Sequence, residues 1–140
     1  MIAIVMSTFN TSVTSGMLKG CLKALEEKNI DKKKIDIYKV PGAFEIPGLT
    51  NILEKKNIYK AIITLGCVIK GETDHYTFIC DAVSNGMMAL TLKSNTPIVF
   101  GVLTCQNKEL ALARSLENKK NKGYEVGLAA IEQIKTMSSF

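Results

Sequence analysis

Four short apolar runs alternate along this chain with longer stretches of helical periodicity. Residues 2–7 (IAIVMS) are almost continuously apolar, as a strand buried on both faces should be. Ser12 or Thr14 can cap a helix that reaches about residue 28, with Met17, Cys21, Leu22 and Leu25 on one face. Residues 35–40 form a second strand, stopped by Pro41-Gly42. Pro47 suits the first turn of a helix running to residue 56. Residues 61–68 are apolar on both faces and read as a third strand. The longest helix spans residues 74–93, where Ile79, Ala82, Val83, Gly86 and Leu90 give it a packing face. Pro97 precedes a fourth strand over 98–103. A short helix over 108–116 follows. Tyr124, Leu128, Ile131 and Ile134 mark the last helix, over 121–136.

Strands separated by helices imply a parallel sheet with right-handed crossovers and helices on both faces. The expected fold is therefore α/β, a three-layer αβα sandwich around a four-stranded parallel sheet. The 140 residues make one domain, with no linker, repeat or low-complexity tract. Ligands in such folds sit outside the carboxyl ends of the strands. That rule selects residues 8–10, 41–45, 67–73 and 104–107 before any motif is considered.

Composition narrows the chemistry. The net charge is +5, but only one of the 18 basic residues is an arginine. The lysines are scattered and lack interleaved aromatics, so solvated loops and helix ends explain them better than a nucleic-acid surface. No apolar run has the length of a membrane span, and the N-terminus lacks the basic region of a signal peptide. The four cysteines, at 21, 67, 80 and 105, show neither CxxC pairing nor metal-ligand spacing with a histidine. They read as reduced thiols of a cytoplasmic protein.

The single arginine and single histidine are then the informative residues. Arg114 offers a planar, bidentate fork that lysine cannot copy, although an arginine at a helix C-terminus can also simply offset the dipole. His75 is the one side chain that ordinarily titrates near neutrality. It follows the turn Ile69-Lys70-Gly71-Glu72-Thr73-Asp74, which leads from the third strand into the long helix. A glycine turn at a helix N-terminus presents free N–H groups and the positive end of the dipole, both suited to phosphate. The same positive end disfavours imidazolium, and a neutral ring can relay protons. Equally, Thr73 or Asp74 can be a plain helix cap, with Gly71 easing the turn. In the second loop, Val40-Pro41-Gly42-Ala43-Phe44-Glu45-Ile46-Pro47, Glu45 is the only charge. It can accept hydrogen bonds from ligand hydroxyls or complement the following helix. Phe9 and Phe44 can stack on a ligand ring or fill the core, with the core the leading reading for Phe9.

Taken together, these segments resemble the lumazine synthase family. The resemblance is carried by Phe9-Asn10, by residues 40–47, and by Gly66-Cys67-Val68-Ile69-Lys70-Gly71-Glu72-Thr73-Asp74-His75. Residues 97–104, Ala113-Arg114 and Asn121-Lys122-Gly123 complete it, in order and at the family's spacing. It implies a flavodoxin-like fold and a transferase that needs no metal or organic cofactor. Such enzymes condense 5-amino-6-(D-ribitylamino)uracil with 3,4-dihydroxy-2-butanone 4-phosphate. They release phosphate and water in the penultimate step of riboflavin biosynthesis.

By resemblance, His75 transfers protons and Arg114 binds the phosphate, with Glu72 and Thr73 in the turn. Phe9 stacks on the pyrimidine, and Ala43, Phe44, Glu45, Cys67, Val68 and Ile69 contact the pyrimidine and its ribityl chain. Phe100 lines the pocket and Lys122 places a charge near the phosphate. The family's site lies between subunits of a homopentamer, sometimes within a sixty-subunit shell, so Phe9, Phe100 and Arg114 need not all come from the chain that supplies His75. Two features bear on assembly in opposite directions. The chain opens at its first strand, where many relatives carry an additional one. No insertion separates Arg114 from Lys122, as it does in pentamers that form no shell. The expected state is a pentamer, with the shell left open.

Overall fold

The computed structural model describes residues 1–140 as eleven elements, two of them 3-10 turns. Strands β1 (Ile2–Ser7), β2 (Ile35–Val40), β3 (Ala61–Ile69) and β4 (Ile98–Cys105) form one parallel sheet in the order β2-β1-β3-β4. The connecting helices are α1 (Thr11–Glu27), α2 (Ile46–Glu54), α3 (His75–Lys93), α4 (Lys108–Ala113) and α5 (Lys122–Met137). The expected α/β sandwich is the observed one.

Strand alternation sorts the core into two layers. Ile2, Ile4 and Met6 point toward α1, α4 and α5, where Met17, Cys21, Leu25, Val126 and Ala130 meet them. Ala3 and Val5 point the other way, toward Ile46 and Leu53 of α2 and Val83 and Met87 of α3. Ser7 pairs with Val40, so β1 and β2 finish level, whereas β3 runs on past the Met6–Leu65 pair to Ile69 beside β4. Beyond the last ladder residues, Thr8 N–H donates to Val40 O at 2.9 Å and Phe9 N–H to Pro41 O at 2.8 Å. The first two strand-end loops are thereby laced together.

Several local expectations change. Asn10, not Ser12 or Thr14, precedes the first helix. It adopts left-handed φ and ψ of 62° and 47° and makes no side-chain cap. Asn tolerates that region better than most residues. A 3-10 turn at Ala43–Glu45 fills the second loop and leads directly into α2. The short helix ends at Ala113, so Arg114 is its C-cap and residues 115–120 form a loop. The predicted face of α3 is only partly right. Val83 and Met87 are buried and Ile79 and Leu90 pack beside them, but Ala82 is exposed. The core face of α5 is also rotated, to Val126, Ala130 and Ile131. The cause is its close approach to α1, where a Cβ on Gly123 would collide with the Met17 carbonyl oxygen.

All four cysteines are free. Burial pushes the Cys21 and Cys67 thiols up to about 12, with Cys105 adding to the shift at Cys67. Burial also raises Cys105 against the opposing pull of Arg114. Only Cys80 is not buried. Thiolate is the reactive form, so iodoacetamide at about pH 8 should label native protein at Cys80 alone. Unfolding should expose all four thiols. Mass spectrometry distinguishes these outcomes, and native labelling at Cys21 or Cys67 would contradict the burial.

Candidate active site

A cleft of about 520 Å³ opens at the carboxyl ends of β1, β2 and β3, where the strand-end rule places it. Its lining comes from three loops and the first turns of α3. Phe9, Ala43, Phe44, Glu45, Cys67, Val68, Ile69, Thr73 and His75 all contribute to it. Glu72 is exposed in the same turn but does not line the cleft. Asn10, Tyr76 and Ile79 line it as well, beyond the residues expected from sequence.

The aromatic pair is not core. Phe9 is 72% exposed and Phe44 59%, so the leading sequence reading of Phe9 is corrected. Exposing two phenyl rings at the mouth of one cleft is unfavourable in water, and covering them with a flat ring would recover part of that cost. Phe9 is held by its backbone bond to Pro41 and by Asn10. The Asn10 side-chain amide donates to Cys67 O at 3.0 Å, tying the first loop to the end of β3. The signal for Asn10 was present in the sequence: an asparagine directly before a helix, suited to left-handed backbone.

Glu45 is partly committed. Its Oε2 accepts from Gly42 N–H at 2.9 Å, which closes the second loop on itself. Its other carboxylate oxygen makes no hydrogen bond within the chain. Ala43 is buried beneath the turn. The carboxylate therefore stands rigidly at the cleft wall and can accept from ligand hydroxyl or amide groups.

The third loop is open and rich in donors. Thr73 Oγ1 accepts from His75 N–H at 3.3 Å, and Asp74 makes no side-chain cap. Phe78 N–H reaches Asp74 O, but the amides of Tyr76 and Thr77 have no acceptor in the chain. These are the unpaired donors of a helix start. Gly71 does not have positive φ, and a Cβ there would enter empty space. The backbone therefore does not require glycine at 71; only a bound group approaching the turn would. Gly71→Ala should leave stability within about 0.5 kcal/mol in a denaturant titration, while weakening binding of a phosphorylated ligand. A large loss of stability would show instead that the turn itself needs glycine.

His75 is the first residue of α3 and is exposed to the cleft. Tyr76 beside it has its phenol raised mainly by burial. No three His, Cys, Asp or Glu side chains come together as a metal site. No helix is long and apolar enough to cross a membrane.

Phe100, Arg114 and Lys122 do not line this cleft. Phe100 lies on the edge strand β4, 39% exposed. Arg114 is exposed beyond that strand, near enough to Cys105 to act on its thiol. Lys122 N–H donates to Arg114 O at 2.7 Å, so the two cations share one corner. Lys122 Nζ is 3.0 Å from Glu125 Oε1. Lys70 N–H donates to Cys105 O at 2.9 Å, joining that corner to the start of the glycine turn. The thirteen expected residues thus fall into two groups, one in the cleft or its turn and one along the sheet edge.

A family model described as 6,7-dimethyl-8-ribityllumazine synthase matches residues 1–138. The 6,7-dimethyl-8-ribityllumazine synthase of Coxiella burnetii (strain Dugway 5J108-111) is 46% identical over 136 residues, covering 97% of this chain and 90% of that protein. That of Limosilactobacillus reuteri (strain DSM 20016) is 46% identical over 133 residues, covering 95% and 86%.

Proposed function

Because the chain belongs to the 6,7-dimethyl-8-ribityllumazine synthase family, we propose that the His75 cleft is its active site. The enzyme is a transferase of riboflavin biosynthesis. It condenses 5-amino-6-(D-ribitylamino)uracil with 3,4-dihydroxy-2-butanone 4-phosphate and releases phosphate and water. The observation that carries the site assignment is the convergence of two exposed phenyl rings, a fixed carboxylate, an open helix start and the only imidazole on one cleft.

Phe9 and Phe44 take the pyrimidine between or against their rings. Glu45 and the backbone of Cys67, Val68 and Ile69 hold its polar edge and ribityl chain. The Gly71–Thr73 turn and the free amides of Tyr76 and Thr77 receive the phosphate of the second substrate. The primary amine of the pyrimidine then attacks the ketone, and water leaves as the Schiff base forms. A proton comes off the adjacent carbon as phosphate departs. After tautomerisation to a carbonyl, the ribitylamino nitrogen closes the ring and a second water is lost. Each step moves a proton, and His75 stands where one side chain can accept and return it. No covalent enzyme intermediate is needed. Holding two substrates in register can supply about 7–11 kcal/mol at best.

Phe100, Arg114 and Lys122 complete the site from a neighbouring subunit. Their separation from the cleft in one chain supports this reading. So does an exposed apolar face on α3, where Phe78 is 72% and Leu92 79% exposed, with Met88 beside them. The assembly is a homopentamer, with the sixty-subunit shell left open. Free thiols fit a cytoplasmic location.

The test is lumazine formation, followed by absorbance with both substrates against a protein-free blank. Acceleration that needs both substrates is expected from a species sedimenting as a pentamer or larger. An intact assembly without acceleration would overturn the reading. Activity in a sedimenting monomer would overturn the shared site.

A further inference from the structure

A second cleft, more voluminous than the one at the strand ends, lies elsewhere in the molecule. It holds about 800 Å³ and lies in the other helix layer, between α1 and the loop that joins α4 to α5. The reaction described above makes no use of it.

This groove is built rigidly. Asn121 is 3% exposed. Its side-chain amide donates to Gly16 O at 3.1 Å and to Leu116 O at 3.0 Å, and its Oδ1 accepts from Tyr124 N–H at 3.0 Å. The floor is tightly packed around two glycines. A Cβ on Gly16 would collide with the Ser115 carbonyl oxygen, and one on Gly20 with the Asn121 side chain. The loop wall is therefore fixed before any ligand arrives.

Its charge is one-sided. Lys19 and Lys23 stand one turn apart on α1, and Lys119 contributes from the loop wall. Ser12 and Ser15 add hydroxyls on the helix side. The one carboxylate lining the groove, Glu117, is 3.9 Å from Lys23, and both side chains are largely solvated. Such a pair neutralises little. Lys19 and Lys119 have no carboxylate partner. Three ammonium groups around a preformed groove raise the local concentration of multiply charged anions.

We propose that this groove binds a small polyanion of the polyphosphate class. Lys19, Lys23 and Lys119 take the phosphoryl oxygens, with Ser12 and Ser15 as further donors. Two sources share that chemistry. One is an inorganic polyphosphate. The other is a nucleoside polyphosphate, whose ring would lie against Tyr124 and Leu116 on the same wall.

The test is calorimetric titration of the assembled protein with inorganic triphosphate, and separately with ATP, at two salt concentrations. The same titrations are run on the triple variant Lys19→Gln/Lys23→Gln/Lys119→Gln and on Arg114→Lys. Expected is salt-sensitive binding to the unaltered protein, weakened by about tenfold or more in the triple variant. Arg114→Lys should retain it, and lumazine formation by the triple variant should be unchanged. Tighter binding of ATP than of triphosphate would assign the nucleoside source; equal binding would assign the inorganic one. No binding, equal binding by the triple variant, or loss only in Arg114→Lys would overturn the proposal. The last result would place the anion in the catalytic cleft instead.

Discussion

His75→Ala should lower kcat for lumazine formation by about a hundredfold or more, the ordinary worth of a positioned proton carrier. The KM of both substrates should change little. The imidazole is exposed at the first position of α3, and its side chain makes no hydrogen bond within the chain, so the fold should survive its removal. A surface substitution of this kind usually changes stability by no more than about 0.5 kcal/mol. The loss should therefore be in the rate of the proton-transfer steps. A protein-free blank sets the floor, and added imidazole should restore part of the rate. Unchanged kcat in a well-folded assembly would remove His75 from the mechanism. A matching rise in both KM values would make it a binding residue instead.

Arg114→Lys should raise KM for the butanone phosphate by about tenfold or more, and leave KM for the pyrimidine near its original value. The charge survives but the two parallel N–H donors do not. Arg114 is the only guanidinium in the chain, and Lys122 beside it already supplies a point charge. A second ammonium cannot replace the lost fork. Stability should hold, because Arg114 is exposed at the end of α4. Equal weakening of both substrates would reject the assignment of Arg114 to the phosphate. Mixing Arg114→Lys subunits with His75→Ala subunits offers a further check. If the two residues meet across an interface, some mixed interfaces regain both intact partners, and activity should rise above that of either variant alone.

The fold was legible because its signals are local. Buried parallel strands are continuous apolar runs, and four such runs separated by helical spacing admit few topologies. The loops were legible for the same reason, since proline and glycine mark where strands stop. Helix ends were less so. Asn10 precedes α1 through a left-handed backbone conformation that a cap-forming Ser12 or Thr14 mimics in sequence. On α3 periodicity found Ile79, Val83 and Leu90 but took Ala82 for core and missed Met87, because apolar residues flank both sides of that face. The buried side of α5 was set by glycines that let α1 approach, a contact between residues about a hundred positions apart.

What the sequence by itself determined is the class of fold, the four loops at the strand ends, and the residues with the chemistry to act there. Those follow from periodicity, turn residues and the rarity of His75 and Arg114. What only the tertiary structure decided is which of them meet. The order β2-β1-β3-β4 brings the ends of three strands together around His75 and leaves Phe100 on the outer strand, with Arg114 and Lys122 beyond its end. Strand order and register are settled by packing between distant segments, where a slip of one residue would move every side chain of a strand to the opposite core layer. No local pattern encodes that choice. The grouping of nine residues in one cleft, and the separation of three others from it, therefore belongs to the folded chain alone.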